Sequence, residues 1–127
     1  MSHDFRTAGR RAVATIGDLG RVCNSGDLTC GVEKVVELGG KAEEAIKEAD
    51  AQHDNAVDKQ ALELLKQYYV ATMIAVIDRS TPKRVECVGG DCQAMYATCK
   101  KETEEAFESE LLPTKSACKN PSPRSSK

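Results

Sequence analysis

The stretch ALELLKQYYVATMIAVI, residues 61–77, decides the fold. Ala61, Leu62, Leu65, Tyr68, Tyr69, Thr72, Met73, Val76 and Ile77 recur at three- and four-residue steps and sweep more than half of a helical circumference. A helix with so wide a water-avoiding arc belongs at the centre of a helical assembly. Its most apolar run, Val70 to Ile77, is eight residues long, where a membrane span needs about 20. The boundaries are legible as well. His53-Asp54-Asn55 is a break in which Asp54 or Asn55 caps the helix, and Ser80-Thr81-Pro82 closes it.

Three further helices are predicted around this one. Over residues 4–22, Phe5, Ala8, Ala12, Ile16 and Leu19 share a face that runs on to Cys23, with arginines off it. Gly9, Gly17 and Gly20 each cost that helix about 1 kcal/mol relative to alanine, which marks them as close helix–helix contacts. After the turn Asn24-Ser25-Gly26-Asp27, with Asp27 the expected cap, a second helix places Val32, Val35, Leu38 or Gly39, Ala42, Ile46 and Ala49 inward. Its other face carries Glu33, Lys34, Glu37, Lys41, Glu44, Lys47 and Glu48, a solvated surface, and Gly39-Gly40 is a potential bend. The fourth helix is read from Val85, Val88, Cys92, Met95, Cys99 and Ala106; it either runs through Gly89-Gly90 or restarts at Asp91, and Pro113 ends it. The fold class is therefore all-α: a disulfide-stapled bundle of about four helices in one domain over residues 1–118, followed by a disordered polar tail over 119–127. Aromatics are scarce, so the core is expected to come from Ala, Val, Leu and Ile, at about 1.5–3 kcal/mol for each fully buried large aliphatic.

Six cysteines are spaced Cys23-x6-Cys30-x56-Cys87-x4-Cys92-x6-Cys99-x18-Cys118. No C-x2-C pair occurs, and His3 and His53 do not complete a zinc set. The even count favours three disulfides and an oxidising compartment. On a helix Cys92 and Cys99 stand about 10 Å apart, beyond the roughly 7 Å reach of a bridge, so each must pair elsewhere. The expected scheme ties the fourth helix to the corner between helices one and two and to the C-terminal segment. A local Cys23–Cys30 bridge is the rival. The start Met1-Ser2-His3-Asp4 lacks an apolar signal core and is read as a mature secreted chain with an added initiator Met.

Function classes narrow next. With 18 basic and 20 acidic residues and net charge −2, the chain lacks the basic surplus of a nucleic-acid binder. No partner in the membrane is expected, and the chain is expected to be a monomer. No phosphate loop, dinucleotide fingerprint or G-x-S-x-G elbow occurs, and both histidines are placed in solvent; no enzyme, metal or cofactor is expected. Two charge groups are candidate partner-binding residues. Arg6, Arg10 and Arg11 could meet an acidic partner; Glu104, Glu105 and Glu108 flank Phe107 in an acidic run that could dock on a basic exosite. The plainer reading of both is a solvated helix face, with Phe107 turned inward. A carrier of a small hydrophobic ligand would instead need a cavity among Leu65, Tyr69, Met73 and Val76.

Gly17-Asp18-Leu19-Gly20-Arg21-Val22-Cys23 followed closely by Cys30, within an all-helical, cysteine-bridged chain of this length, resembles the anophensin and albicin group of anopheline mosquito salivary proteins. The resemblance covers most of the chain and lies in cysteine placement and helical pattern. It implies secretion in saliva and interference with host defence in blood. The partner it implies is a host plasma protein: the C3 convertase of the alternative complement pathway, or a factor of the contact pathway of coagulation and kinin generation. No family motif assigns a role to an individual side chain here. The C-x3-C of insect odorant-binding proteins is absent.

Overall fold

Asn55 starts the central helix, its side-chain oxygen accepting the Asp58 N–H at 2.9 Å. In the computed structural model, which describes residues 1–24, 30–81, 87 and 90–119, the helices are α1 (His3–Cys23), α2 (Val32–Gln52), α3 (Ala56–Ser80) and α4 (Cys92–Glu108). No strand occurs among the described residues. Three residues join α2 to α3, and the pairs Gly39–Met73 and Glu43–Tyr69 run antiparallel between them. Likewise Gly9 meets Phe107 and Gly20 meets Tyr96, so α1 and α4 are antiparallel. The product is a four-helix bundle in which α1 and α3 each touch all three other helices.

The α1 face holds as read: Phe5, Ala8, Ala12, Ile16, Leu19 and Cys23 are all buried. On α2 the core begins only at Leu38; Val35 is half-buried and Val32, the first helical residue, is 81 % exposed. Gly39-Gly40 lies within one continuous helix. The cap expected at Asp27 lies outside the described residues, and Gly31 occupies the N-cap position. On α3, Leu64, Ala71 and Ala75 join the buried set while Ile77 lies 40 % exposed. The core is mainly Ala, Val, Leu and Ile, as expected, with a few rings inside it. Phe5, Tyr68 and Phe107 are completely buried, and the Phe5 and Phe107 rings pack at 5.7 Å. Small alanines on α1 and α2 bring those helices close enough for a few rings to fill the rest.

α4 begins at Cys92, with the Asp91 carboxylate accepting the Ala94 N–H at 3.0 Å; Val85 and Val88 lie outside the described residues. It ends at Glu108, five residues before Pro113. There Glu110 adopts φ 54°, and the Leu111 N–H returns to the Glu105 carbonyl at 3.3 Å. The chain then doubles back. Glu102 accepts the Ser116 hydroxyl at 2.6 Å and the Ala117 N–H at 2.9 Å, and Cys118 bridges to Cys99. Of the expected tail only Lys119 is described.

The bridges are Cys23–Cys30, Cys87–Cys92 and Cys99–Cys118. The tie from α4 to the C-terminal segment is present, and so is the local rival closure. The expected bridge from α4 to the α1–α2 corner is not: Cys92 pairs with Cys87 instead. A polar network joins those elements. Asn24, after α1, donates to Gln93 of α4 at 2.8 Å and accepts from Arg79 of α3 at 3.2 Å; Gln93 reaches the Ala75 carbonyl at 3.2 Å.

Gly9 and Gly40 make opposite predictions. A Cβ on Gly9 would sit 2.1 Å from the fully buried Phe107 ring, whereas one on Gly40 would meet nothing within 4 Å. Gly9→Ala is expected to lower stability by about 1–3 kcal/mol through overpacking. Gly40→Ala is expected to raise it by up to about 1 kcal/mol through helix propensity. Chemical unfolding of the two variants, compared with the parent chain, reads both.

Candidate binding groove between the first and fourth helices

Two rings clamp α1 to α4. Phe107 lies on Gly9 and Tyr96 lies on Gly20, each so close that a Cβ would collide. Between the clamps the helices part into a groove of about 700 Å³, with Val13, Ala14, Gly17, Tyr96 and Phe107 among its lining. Its rims are charged: Arg10, Asp18 and Arg21 on α1, Lys100, Glu104 and Glu108 on α4. Arg21 pairs with Asp18 at 3.2 Å and Lys100 with Glu104 at 3.0 Å. Arg10 and Glu108 form no ion pair among the described residues.

Electrostatics around the groove follow from burial. Tyr68 is fully buried beside Tyr96, ring centroids 6.3 Å apart, and burial pushes its hydroxyl pKa well above the ordinary tyrosine value. Among the described residues that hydroxyl has no hydrogen-bond partner. Burial also raises the Tyr96 hydroxyl, opposed by nearby Lys100 and reinforced by Glu104. The hydrogen bond to Glu104 raises the Lys100 ammonium. Both tyrosines stay neutral donors across physiological pH.

The six charged residues singled out in the sequence separate in space. Arg10, Glu104 and Glu108 converge on the groove. Arg6 serves the fold: its guanidinium donates to the Phe107 carbonyl at 3.1 Å and the Glu108 carbonyl at 2.8 Å, capping the end of α4, and lies 3.7 Å from Glu110. Arg11 pairs with Glu48 of α2 at 3.2 Å, on the far side of α1. Glu105 is exposed outside the groove. Phe107 is turned inward, as the plainer reading expected.

No family model, no curated protein and no solved structure matches the chain.

Among the described residues no group of histidines, cysteines and carboxylates could hold a metal ion, and no helix is long and apolar enough to cross a membrane. His3 is exposed beside Asp4, and His53 is bound to Asp50 in the α2–α3 turn. Leu65 and Val76, named above for a carrier cavity, are packed in the core, and Tyr69 donates to Glu43 at 2.9 Å. A second groove, about 610 Å³, lies between α3 and the C-terminal segment, with Leu64, Leu112 and Pro113 in its lining. Sequence reasoning missed Tyr96 and Lys100 as groove groups. Only the α1 glycines signalled that α4 would approach there.

Proposed function

We propose that this chain is a secreted, non-catalytic inhibitor that binds a host plasma protein complex, the C3 convertase of the alternative complement pathway. One observation carries the reading: Arg10 on α1 and Glu104 and Glu108 on α4, far apart in sequence, stand on the rims of one open groove. Gly17, Asp18 and Arg21 of the stretch that resembles the anopheline salivary group line the same groove, and Cys23 at its end is bridged to Cys30. A bridged bundle holds such a face in place before the partner arrives, which reduces the ordering cost of association. The choice of the convertase comes from the resemblance.

The test is lysis of erythrocytes by serum in magnesium-EGTA, where only the alternative pathway runs. Protection at micromolar protein is expected, and full lysis overturns the reading. Delay of surface-activated clotting without protection from lysis would move the target to the contact pathway. Arg10→Glu places like charges on both rims and is expected to weaken inhibition about tenfold, equal to about 1.4 kcal/mol. Arg11→Glu, whose parent residue faces α2, is the control expected to leave it unchanged.

A further inference from the structure

Four of the six large apolar side chains that the described residues leave exposed gather on one side of the bundle: Val32 and Val36 of α2, 81 % and 67 % exposed, and Val70 and Ile77 of α3, each 40 %. On α3, Val70, Met73 and Ile77 follow at three- and four-residue steps and share one stripe, with Met73 half-buried. On α2, Val32 and Val36 are four residues apart and share another. The antiparallel pairing joins the two stripes. Gly39 faces the Met73 sulfur and Glu43 takes the Tyr69 hydroxyl; one helical turn beyond, Val36 stands level with Ile77. The two valines depart from the rest of α2, where every exposed residue from Lys41 to Glu48 is charged. On α3 the run from Val70 to Ile77 carries no charge on any side. A helix apolar all round is normally covered all round, yet within this run the fold buries only Ala71, Thr72, Ala75 and Val76.

We propose that this α2–α3 face is the interface with a second copy of the chain. Its composition favours a like partner. Homodimer interfaces are more apolar than those between proteins that also exist apart, and a two-fold contact sets one face against itself. Charge agrees. Glu37 lies 3.4 Å from Lys34 and 3.5 Å from Lys41, and Lys66 lies 3.9 Å from Asp50, so the borders of the strip carry both signs, paired within one chain. Two such faces meet without repulsion, whereas an acidic or basic partner finds no surplus charge to hold. The groove between α1 and α4 shares no residue with the strip, so pairing leaves it open on each copy and stands whether or not the convertase is the target.

The experiment is sedimentation velocity on the full, bridged chain from about 10 µM to about 1 mM, a range that brackets a moderate self-association. A shift from monomer to dimer is expected for the parent chain. Val36→Lys and Ile77→Lys each place a charge in the apolar strip of both copies and are expected to weaken pairing about tenfold or more. Circular dichroism should stay helical, because both side chains already touch water. Leu111→Lys, exposed after the end of α4 and outside the strip, is the control expected to pair like the parent. A parent chain monomeric across the whole range overturns the proposal; loss of protection from lysis in Val36→Lys would then assign the face to the host protein. Pairing undiminished in both lysine variants overturns it too. Should Ile77→Lys fail to fold, Val36→Lys decides alone.

Discussion

Asp58→Asn is expected to destabilise the protein by about 2–3 kcal/mol at neutral pH, the range for buried hydrogen bonds to a charged group. Asp58 is completely buried and accepts from the Ser2 N–H at 3.0 Å, the Ser2 hydroxyl at 2.6 Å and the Asp54 N–H at 3.0 Å. These bonds join the start of α1 to the start of α3. An amide cannot replace the carboxylate: in either orientation its NH2 faces a backbone N–H, the Ser2 one or the Asp54 one. Burial by itself would raise the Asp58 pKa, but the three donors outweigh it and hold the carboxyl below its ordinary value. The sign for stability follows. A group with a depressed folded pKa contributes fully above its unfolded pKa of about 3.9 and loses that contribution as pH falls through the folded value. Urea unfolding should therefore show the parent chain losing stability below about pH 4, while Asp58→Asn loses less over the same interval. Parallel acid limbs for the two proteins would refute this account.

Replacing Cys99 and Cys118 together by serine is expected to cost about 3 kcal/mol, from the loop entropy of a bridge whose cysteines are 19 residues apart. The same relation gives about 2 kcal/mol for Cys23–Cys30 and for Cys87–Cys92, which close separations of 7 and 5 residues. The ordering matters more than the absolute values. The Cys99–Cys118 variant should show the largest drop in Tm, and its segment 109–118 should become the first site of proteolysis. Glu102 alone must then hold Ser116 and Ala117. A drop smaller than that of the Cys23–Cys30 variant, or peptide mapping that pairs Cys92 with Cys23 or Cys30, would contradict the bridge pattern.

How much of this was legible beforehand depends on how local the physics is. The inward face of α1 depends on residues within a turn or two, and periodicity reads it directly; the caps of α3 and α4 were each narrowed to two readings, of which the structure selects Asn55 and Asp91. Failures began where two segments had to meet. Cys92 has equally good partners in sequence terms at the α1–α2 corner and at Cys87; geometry selects Cys87, and Asn24, Gln93 and Arg79 join the elements instead. Arg6 and Arg10 look alike on paper, four residues apart, yet one caps the end of α4 and the other stands on the groove rim.

The sequence by itself therefore determined an all-helical chain of four segments, the inward face of α1, much of those of α2 and α3, and the presence of bridges. Those properties follow from short-range periodicity and from cysteine number. Only the tertiary structure decided which cysteines pair, and that two of three glycines on α1 receive a ring while Gly17 does not. Such facts depend on the relative rotation and offset of helices distant in the chain. Close packing sets those to fractions of a side-chain width, and no local pattern encodes them.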